Sequence, residues 1–356
     1  MTDRRPDRLN SRQRRLWDLH DFSSGRGLEI GPLHNPSVRH EHGAIEYLDV
    51  FSREQLLRNY AGHANVDPAA IPEVDHVLMA DDGRVRSIPE TLDGIEPFDW
   101  VMASHVIEHV PDMIGWLDQV AQVTVDGGAL VLVVPDRRYC FDVHRPGTTL
   151  GQLLQAHEAG DVVPSVRAVY DYKRGHVGTN AAALWRGEVP GYGARLYDLP
   201  QVVEQVDAAR RGEYIDAHVW ALTPGTLLEQ LVELRQLGLS AWRVESLVPT
   251  ARNLNEFYAV LRRLPRGGGW PASLLADEPR PEHEMPDWVA EQVELRERQR
   301  ELRSRLDARK RRIARLEKQL QRARGEVRRL REQQAPADSR SLPRRAVGRL
   351  RRALRR

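Results

Sequence analysis

Two acids and a glycine turn give the first indication of chemistry in this sequence. Glu29 and Gly31 close a short apolar run, and Asp49 ends a second apolar run eighteen residues after Gly31. A glycine turn after a buried strand lets the backbone approach a ligand, and an acid about twenty residues further on can accept ribose hydroxyls. This spacing predicts a site for an adenosyl cofactor.

A second group of chemical side chains lies at 105–109, where the sequence reads His-Val-Ile-Glu-His. In inverted zinc proteases the two histidines of this motif share a helix face and a further ligand follows downstream. Here the segment leaves an apolar strand and Pro111 comes two residues after His109, so we expect no metal site and no zinc hydrolysis. His109 keeps two interpretations: a general base, or a hydrogen-bonded histidine of the turn.

Asp136 is the other candidate base, because it follows the apolar run 129–134 at the end of a strand. A carboxylate there can take a proton from a hydroxyl of a bound ligand, a role that is useful but not obligatory. His144 and His218 are further candidates behind these two. The alternative for Asp136 is an ion pair with Arg137 or Arg138 at the start of a loop.

Alternating strand and helix patterns position these residues. Helical patterns at 52–57 and 112–123 lie between short apolar runs, which is the order of a parallel βαβ sheet. A helix at 226–237 precedes two runs with no helix between them, which we expect to form an antiparallel edge hairpin. The fold class is thus α/β, a Rossmann-like sandwich. The seven predicted strands are 27–30, 45–48, 76–79, 99–103, 129–134, 241–247 and 256–261.

The chain divides by composition into five segments. Apolar residues between 295 and 330 recur at alternating steps of three and four once Gln299 and Arg309 are counted as polar core positions, which predicts a coiled coil with a copy of the chain or a partner protein. The alternative is a single helix whose leucine face packs on the body. The segments are an N-terminal arm 1–25, a domain 26–264 with an acceptor-side insertion 136–220, a Pro/Gly linker 265–287, a coiled coil 288–334 and a basic amphipathic tail 335–356.

Charge is distributed unevenly. Residues 291–356 hold 24 Lys and Arg against 9 Asp and Glu, a net of +15, which leaves 29 against 42, a net of −13, in residues 1–290. An acidic body argues against nucleic acid, and the basic tail suits an anionic membrane surface. The alternative for the tail is a disordered solubilising segment.

Cysteine usage and hydropathy indicate the compartment. Cys140 is the sole cysteine, which excludes an internal disulfide and a cysteine-rich zinc module. The strongest apolar run, 129–134, is too short to cross a bilayer, so we expect neither an export signal nor a transmembrane helix. The expected location is cytoplasmic, with peripheral association at the inner face of the cell membrane.

Five motifs in chain order resemble those of class I S-adenosylmethionine-dependent methyltransferases. They are most similar to the bacterial branch found with cell-surface polysaccharide synthesis. The resemblance implies S-adenosyl-L-methionine as cofactor and a hydroxyl of a sugar or glycan intermediate as acceptor. The motifs are Leu28-Glu29-Ile30-Gly31, Tyr47-Leu48-Asp49, Ala80-Asp81-Asp82-Gly83, the segment 98–109 and the segment 126–135.

The same resemblance implies individual roles at the cofactor. Glu29 would face the methionine end and Asp49 the ribose hydroxyls. Asp81 would accept the adenine amine, with Asp82 as its nearest competitor. The other implied cofactor residues are Gly31, Pro32 and Asn35 in the loop, and Ala103, Ser104 and His105 under the sulfonium.

The glycine loop departs from the family pattern. Leu33 and Asn35 stand where the second and third glycines are usual. Asn tolerates left-handed backbone, whereas Leu33 requires a loop of different shape. The missing glycines argue more strongly against a dinucleotide than against S-adenosylmethionine, because a pyrophosphate needs the close backbone approach that glycine permits.

The insertion suits an acceptor that carries sugar rings. Its aromatic side chains can stack on sugars and its cations can pair with acidic or phosphorylated glycans, although many will only pack in the core. Two other functions remain open, a small-metabolite methyltransferase and a non-catalytic coiled-coil scaffold. The residues concerned are Arg138, Tyr139, Tyr170, Tyr172, Lys173, Trp185, Tyr192 and Trp220.

Overall fold

A seven-stranded sheet organises the N-terminal part of the chain, in a computed structural model that describes residues 9–265 and 287–334. The chain divides into a first unit, Met1–His283, and a second unit, Glu284–Arg356. The strands are β1 Arg26–Ile30, β2 Ala44–Asp49, β3 His76–Val77, β4 Phe98–Ser104, β5 Thr124–Pro135, β6 Trp242–Val248 and β7 Glu256–Arg263.

The sheet has the order β3-β2-β1-β4-β5-β7-β6. Strands β1 to β5 are parallel, whereas β7 runs antiparallel to both β5 and β6. The predicted Rossmann-like sandwich with an antiparallel edge is confirmed. The parallel strands end at one edge, and their carboxyl ends there collect the acids singled out above.

Nine helices of the first unit are described. Ser52 and Gln55 form the capping box that starts α2, as the spacing predicted. The helices are α1 Ser11–Leu19, α2 Arg53–Asn59, α3 Ile88–Thr91, α4 Met113–Gln122, α5 Leu150–Ala159, α6 Val166–Gly175, α7 Ala181–Trp185, α8 Leu199–Arg210 and α9 Pro224–Gln236.

Apolar residues alternate between the two faces of the central strands. On β4, Trp100 and Met102 pack in one layer, and Val101 and Ala103 pack in the other. Because side chains of a strand point alternately to opposite faces, a strand covered on both sides must be apolar throughout. This explains why β4 and β5 read as unbroken apolar runs.

The segment expected as an N-terminal arm is folded into the body from residue 9 onward. Asn10 caps α1, and Leu16 and Trp17 are buried with Phe22 in the layer under the sheet. Strand β3 is shorter than the predicted 76–79. It ends at Val77, two residues before the chain reverses so that Met79 pairs with Val85.

The insertion 136–220 contains four α-helices, α5 to α8, where the composition predicted only an ordered excursion. Val169 of α6 packs against Val202 and Val206 of α8 in a small core of its own. The insertion is therefore a helical cap with internal packing.

The second unit contains α10, Asp287–Gln334. Seven apolar side chains of its predicted seam are each between 49% and 57% exposed: Leu302, Leu306, Ile313, Leu316, Leu320, Val327 and Leu330. Most of the predicted linker and the whole predicted tail lie outside the described residues. Among the helices that are described, none has the length and apolar character of a membrane span.

Candidate active site

Asp49 stands at the carboxyl end of β2, next to the turn that follows β1. The N–H of Gly31 donates to the carbonyl of Leu48 at 2.9 Å, which fixes this turn beside the acid. Oδ1 of Asp49 accepts the N–H of Phe51 at 3.1 Å, and burial raises the pKa of the carboxyl to about 6. A half-buried acid with acceptor capacity remaining fits a ribose, whose two hydroxyls would donate to it.

The glycine-poor loop after β1 keeps a left-handed turn. Gly31 has φ 66°, and a Cβ there would lie 3.0 Å from Cγ2 of Val106. Leu33 itself adopts φ 41°, whereas Asn35, expected to tolerate that conformation, is not among the left-handed residues that the structure describes. The N–H of Asn35 closes the turn on the carbonyl of Pro32 at 3.1 Å.

The carboxylate of Glu29 binds backbone N–H groups of the loop that follows β1. Glu29 is 1% exposed, and its carboxylate accepts the N–H of Ser37 at 2.7 Å and that of Val38 at 3.1 Å. Burial raises the pKa of Glu29 to about 7 although these two donors oppose the shift. The carboxylate thus ties the loop to β1, and its contact with the methionine end of a cofactor stays a prediction.

Asp81 and Asp82 lie exposed in the turn after β3. Oδ1 of Asp82 accepts the N–H of Arg84 at 2.9 Å and so stabilises the turn. The resemblance implies that Asp81 accepts the adenine amine, with Asp82 as its competitor. That role remains a prediction for both.

The end of β4 carries an ionic network that the sequence did not reveal. Ala103 is buried, and the hydroxyl of Ser104 accepts a hydrogen bond from Arg12 of α1. His105 has φ 54°, and its ring lies 2.9 Å from Glu256 and 3.5 Å from Glu108.

His105 is consequently a cation at neutral pH. Burial by itself would lower its pKa, but the carboxylates of Glu108 and Glu256 outweigh that effect and raise the pKa to about 9. An imidazolium cannot accept a proton, so His105 is not a general base. The carboxylates of Glu108 and Glu256 balance its positive charge. The family motifs imply that the sulfonium of the cofactor lies at this place.

Beyond β4, Glu108, His109 and His218 form what we call the histidine cluster. Backbone N–H groups of Val219 and Trp220 donate to the carbonyl of Glu108 at 2.7 and 3.1 Å, which brings His218 to this place. One ligand-type atom from each of the three side chains lies within 4.8 Å of the others. Nε2 of His109 is 4.0 Å from Oε1 of Glu108.

Each imidazole of the cluster is backed by an acid. Nδ1 of His109 is 2.8 Å from Asp216, and Nδ1 of His218 is 2.6 Å from Asp142. Arg145 holds Asp142 at 2.9 Å. Burial works to raise the pKa of Asp142, but His218 and Arg145 outweigh it and lower the pKa to about 2. The acids fix the ring orientations and leave Nε2 of His109 facing Glu108.

Asp136 is placed differently from what a general base needs. It is 0% exposed and is bound by the guanidinium of Arg138 at 2.8 Å and by the hydroxyl of Thr250 at 2.7 Å. This is the ion pair weighed as its alternative, and the geometry gives no support to a catalytic role. His144 bonds the carbonyl of Pro190 at 2.7 Å, away from the cluster.

The inverted zinc-protease arrangement is not formed by the 105–109 motif. His105 lies before a short 3-10 turn, Ile107–His109, and the two histidines share no α-helix. Sequence reasoning named His109 and His218 separately, but it missed Glu108 as a buried acid and the partners Arg12 and Glu256. Only the three-dimensional fold brings these distant positions together.

One protein-family model matches part of this chain. Residues 1–169 match the family model described as "Methyltransferase domain". No curated protein matches the chain.

Solved structures with a similar fold share little sequence with this chain. An S-adenosylmethionine-dependent methyltransferase from Mesorhizobium loti is 18% identical over 70% of this chain and 95% of its own, with a TM-score of 0.33. The DhpI–SAH complex is 16% identical over 72% and 83%, with a TM-score of 0.34. A putative Zn-dependent alcohol dehydrogenase from Rhodobacter sphaeroides is 15% identical over 72% and 92%, with a TM-score of 0.38.

Proposed function

We propose that this chain, an S-adenosylmethionine-dependent methyltransferase, methylates a hydroxyl of a sugar or glycan intermediate in cell-surface polysaccharide synthesis. The methyltransferase domain matched over residues 1–169 supports the reaction class. The histidine cluster, which follows β4 at the edge that also carries Asp49, is the observation that supports a hydroxyl acceptor.

The residues of the first two strands fit the cofactor. Asp49 accepts the ribose hydroxyls, and Gly31 turns the backbone with no Cβ to crowd Val106. Glu29 keeps the loop in place through Ser37. When bound, S-adenosylmethionine supplies a methyl carbon that forms a bond to the acceptor oxygen while the electron pair of its C–S bond stays on sulfur.

A hydroxyl must also lose its proton. Methyl transfer depends mainly on alignment, and removing the hydroxyl proton adds a requirement that an already nucleophilic amine lacks. His109, His218 and Glu108 provide two imidazoles and a carboxylate past the end of β4. We infer that the acceptor hydroxyl meets this cluster and loses its proton there.

The helical cap offers aromatic surface to a glycan. The rings of Tyr139 and Trp185 stack at 4.0 Å with an angle of 5° between their planes. Tyr192 is 65% exposed under the guanidinium of Arg195, and Tyr170 is 43% exposed. Exposed aromatic rings beside cations suit sugars that carry acidic groups, which supports a glycan over a small apolar metabolite.

Mass spectrometry of surface glycans tests the acceptor. A strain that lacks the chain should lose one methyl modification, which the wild-type chain restores and the Asp49→Asn variant does not. Glycans of unchanged methylation in the deletion strain would contradict the proposal.

We also propose that the second unit pairs with a copy of the chain. The apolar seam of α10, represented by Leu316 and Leu320, is about half exposed, and two such seams would bury one another in a coiled coil. The basic composition of 335–356 supports contact with anionic lipid at the inner face of the cell membrane.

A further inference from the structure

The carboxylate of Glu108 is buried without a hydrogen-bond donor. Glu108 is 1% exposed, and neither of its carboxylate oxygens accepts a hydrogen bond from the part of the chain that the structure describes. Nδ1 of the His105 imidazolium lies 3.5 Å from Oε1 of Glu108 and supplies a nearby positive charge, while its Nε2 pairs with Glu256. One ion pair at that distance leaves acceptor capacity on the buried carboxylate, which a further donor or a metal would stabilise.

Two imidazole rings lie beside the carboxylate of Glu108. The rings of His109 and His218 are 4.7 Å apart between centroids, at an angle of 83°. The Nδ1 atoms donate to Asp216 and Asp142, so the Nε2 atoms keep a free lone pair when the rings are neutral. A carboxylate behind each histidine is the usual outer arrangement of metal-binding imidazoles, since it fixes the ring and increases its basicity.

We propose that Glu108, His109 and His218 bind a divalent first-row transition-metal cation. The three ligand atoms lie within 4.8 Å of one another. In a tetrahedral site with metal–nitrogen distances near 2.1 Å, ligand atoms stand roughly 3.4 Å apart. Binding therefore draws the three side chains inward.

The donor set selects the kind of cation. Two imidazole nitrogens and one carboxylate suit zinc, iron, cobalt and manganese, whereas magnesium and calcium prefer oxygen ligands. Three protein ligands leave coordination positions open, as in catalytic rather than structural sites. The cation is thus one that can accept a further oxygen ligand.

That ligand is the acceptor hydroxyl, and this part of the proposal rests on the proposed function. A cation that coordinates the hydroxyl oxygen lowers its pKa, so that its proton passes to solvent before the oxygen forms its bond to the methyl carbon. His109 is then a metal ligand, and the lowering of the hydroxyl pKa by the cation takes the place of a protein general base. The same metal can orient the acceptor.

Titration with Co²⁺ tests the site, because cobalt bound to nitrogen and oxygen ligands has visible absorption bands. Metal-stripped full-length protein without an affinity tag should bind one Co²⁺ per chain. Glu108→Gln and His218→Asn should each weaken binding at least about tenfold, and Asp142→Asn about 10- to 100-fold. His157→Asn is the matched control, since this histidine also pairs with an acid, Asp112, at 3.0 Å.

Two results would overturn the cation site: no Co²⁺ binding by the wild type, or binding by Glu108→Gln as tight as that of the wild type. Tight binding by Glu108→Gln would mean that Glu108 is no metal ligand and that His109 and His218 serve only in proton transfer with it. Stabilisation by S-adenosylhomocysteine, measured on each variant, shows that it is folded. Cobalt binding without any such stabilisation in the wild type would support the cation site and contradict the proposed function.

Discussion

Nε2 of His105 lies 2.9 Å from Oε2 of Glu256, although 151 positions separate the two residues in the chain. His105 follows β4, and Glu256 begins β7, which lies two strands away in the sheet. Arg12 of α1 binds the same carboxylate at 3.0 Å. One acid therefore joins the N-terminal helix, the end of β4 and the antiparallel edge.

Replacing Glu256 by glutamine should weaken this junction. Glu256→Gln leaves two cations without their shared counter-charge, and we expect the free energy of unfolding to fall by about 1.5–3 kcal/mol, the range for hydrogen bonds to charged groups. Urea denaturation measures the change. Glu245→Gln is the control, because Glu245 forms an exposed ion pair with Arg262 and such pairs contribute little.

The pH dependence of that difference has a fixed sign. The raised pKa of His105, about 9, stabilises the fold fully below the unfolded value of 6.5, and this contribution is lost as the pH rises through 9. The wild type should thus lose stability between pH 6.5 and 9, and Glu256→Gln should lose less. Parallel profiles of the two proteins would contradict the assignment.

Gly27 should not tolerate a side chain. A Cβ there would stand 2.1 Å from the indole ring of Trp100, which is 1% exposed. Because the buried indole cannot move without disturbing the layer around it, Gly27→Ala should lower the free energy of unfolding by about 3 kcal/mol. Gly178→Ala is the control, since a Cβ at Gly178 meets no atom within 4 Å. Equal urea midpoints of the two variants would refute the prediction.

The seam of α10 should control the oligomeric state. Sedimentation of the full chain should give a homo-oligomer, and the double variant Leu316→Lys with Leu320→Lys should sediment as a monomer, because lysine cannot pack in a coiled-coil core. The double variant Ala314→Lys with Gln321→Lys adds the same charge outside the seam and should keep the oligomer. A monomeric wild type would favour the alternative of a single helix.

The basic tail should act independently of the methyltransferase domain. Deleting residues 336–356 should abolish co-sedimentation with phosphatidylglycerol vesicles, since it removes the arginines that meet lipid phosphates. Phosphatidylcholine vesicles serve as the control, and S-adenosylhomocysteine binding should be unchanged. Retention of the truncated chain on the anionic vesicles would show that the tail is not the membrane contact.

The pattern of apolar residues in the sequence was sufficient to predict the strands of the sheet. Apolar runs such as β4 and the capping spacing from Ser52 to Gln55 are local signals, and the parallel direction of the first five strands follows from the βαβ alternation. The helices of the cap were missed because they are short and are separated by segments rich in Gly, Arg and Pro, such as 186–195. The burial of α1 was missed for a different reason, since its packing depends on contacts with distant strands.

The candidate site was predictable only where residues near in sequence act together. Glu29, Gly31 and Asp49 carry a recognisable spacing. Nothing local to Glu108 indicates that His218, 110 positions later, will lie beside it, because that proximity comes from the two hydrogen bonds that its carbonyl accepts. Asp136 illustrates the opposite limit: its place in the chain suggested chemistry, whereas its contacts are those of a buried ion pair.

Cofactor binding through Asp49 is the most direct test of the account. We predict that isothermal titration of the full chain detects S-adenosylhomocysteine, and that Asp49→Asn binds it about 10- to 100-fold more weakly. The ionised carboxylate accepts the ribose hydroxyls, and burial sets its pKa at about 6. Wild-type affinity should therefore fall about tenfold per pH unit below 6 and be constant well above it.

The exposed acid Asp118 on α4 provides the matched control, and Asp118→Asn should bind as the wild type does. In Asp49→Asn the pH dependence should disappear along with most of the affinity. Undiminished affinity in a folded Asp49→Asn protein, or no binding by the wild type, would contradict the cofactor site, and the latter would favour a non-catalytic scaffold.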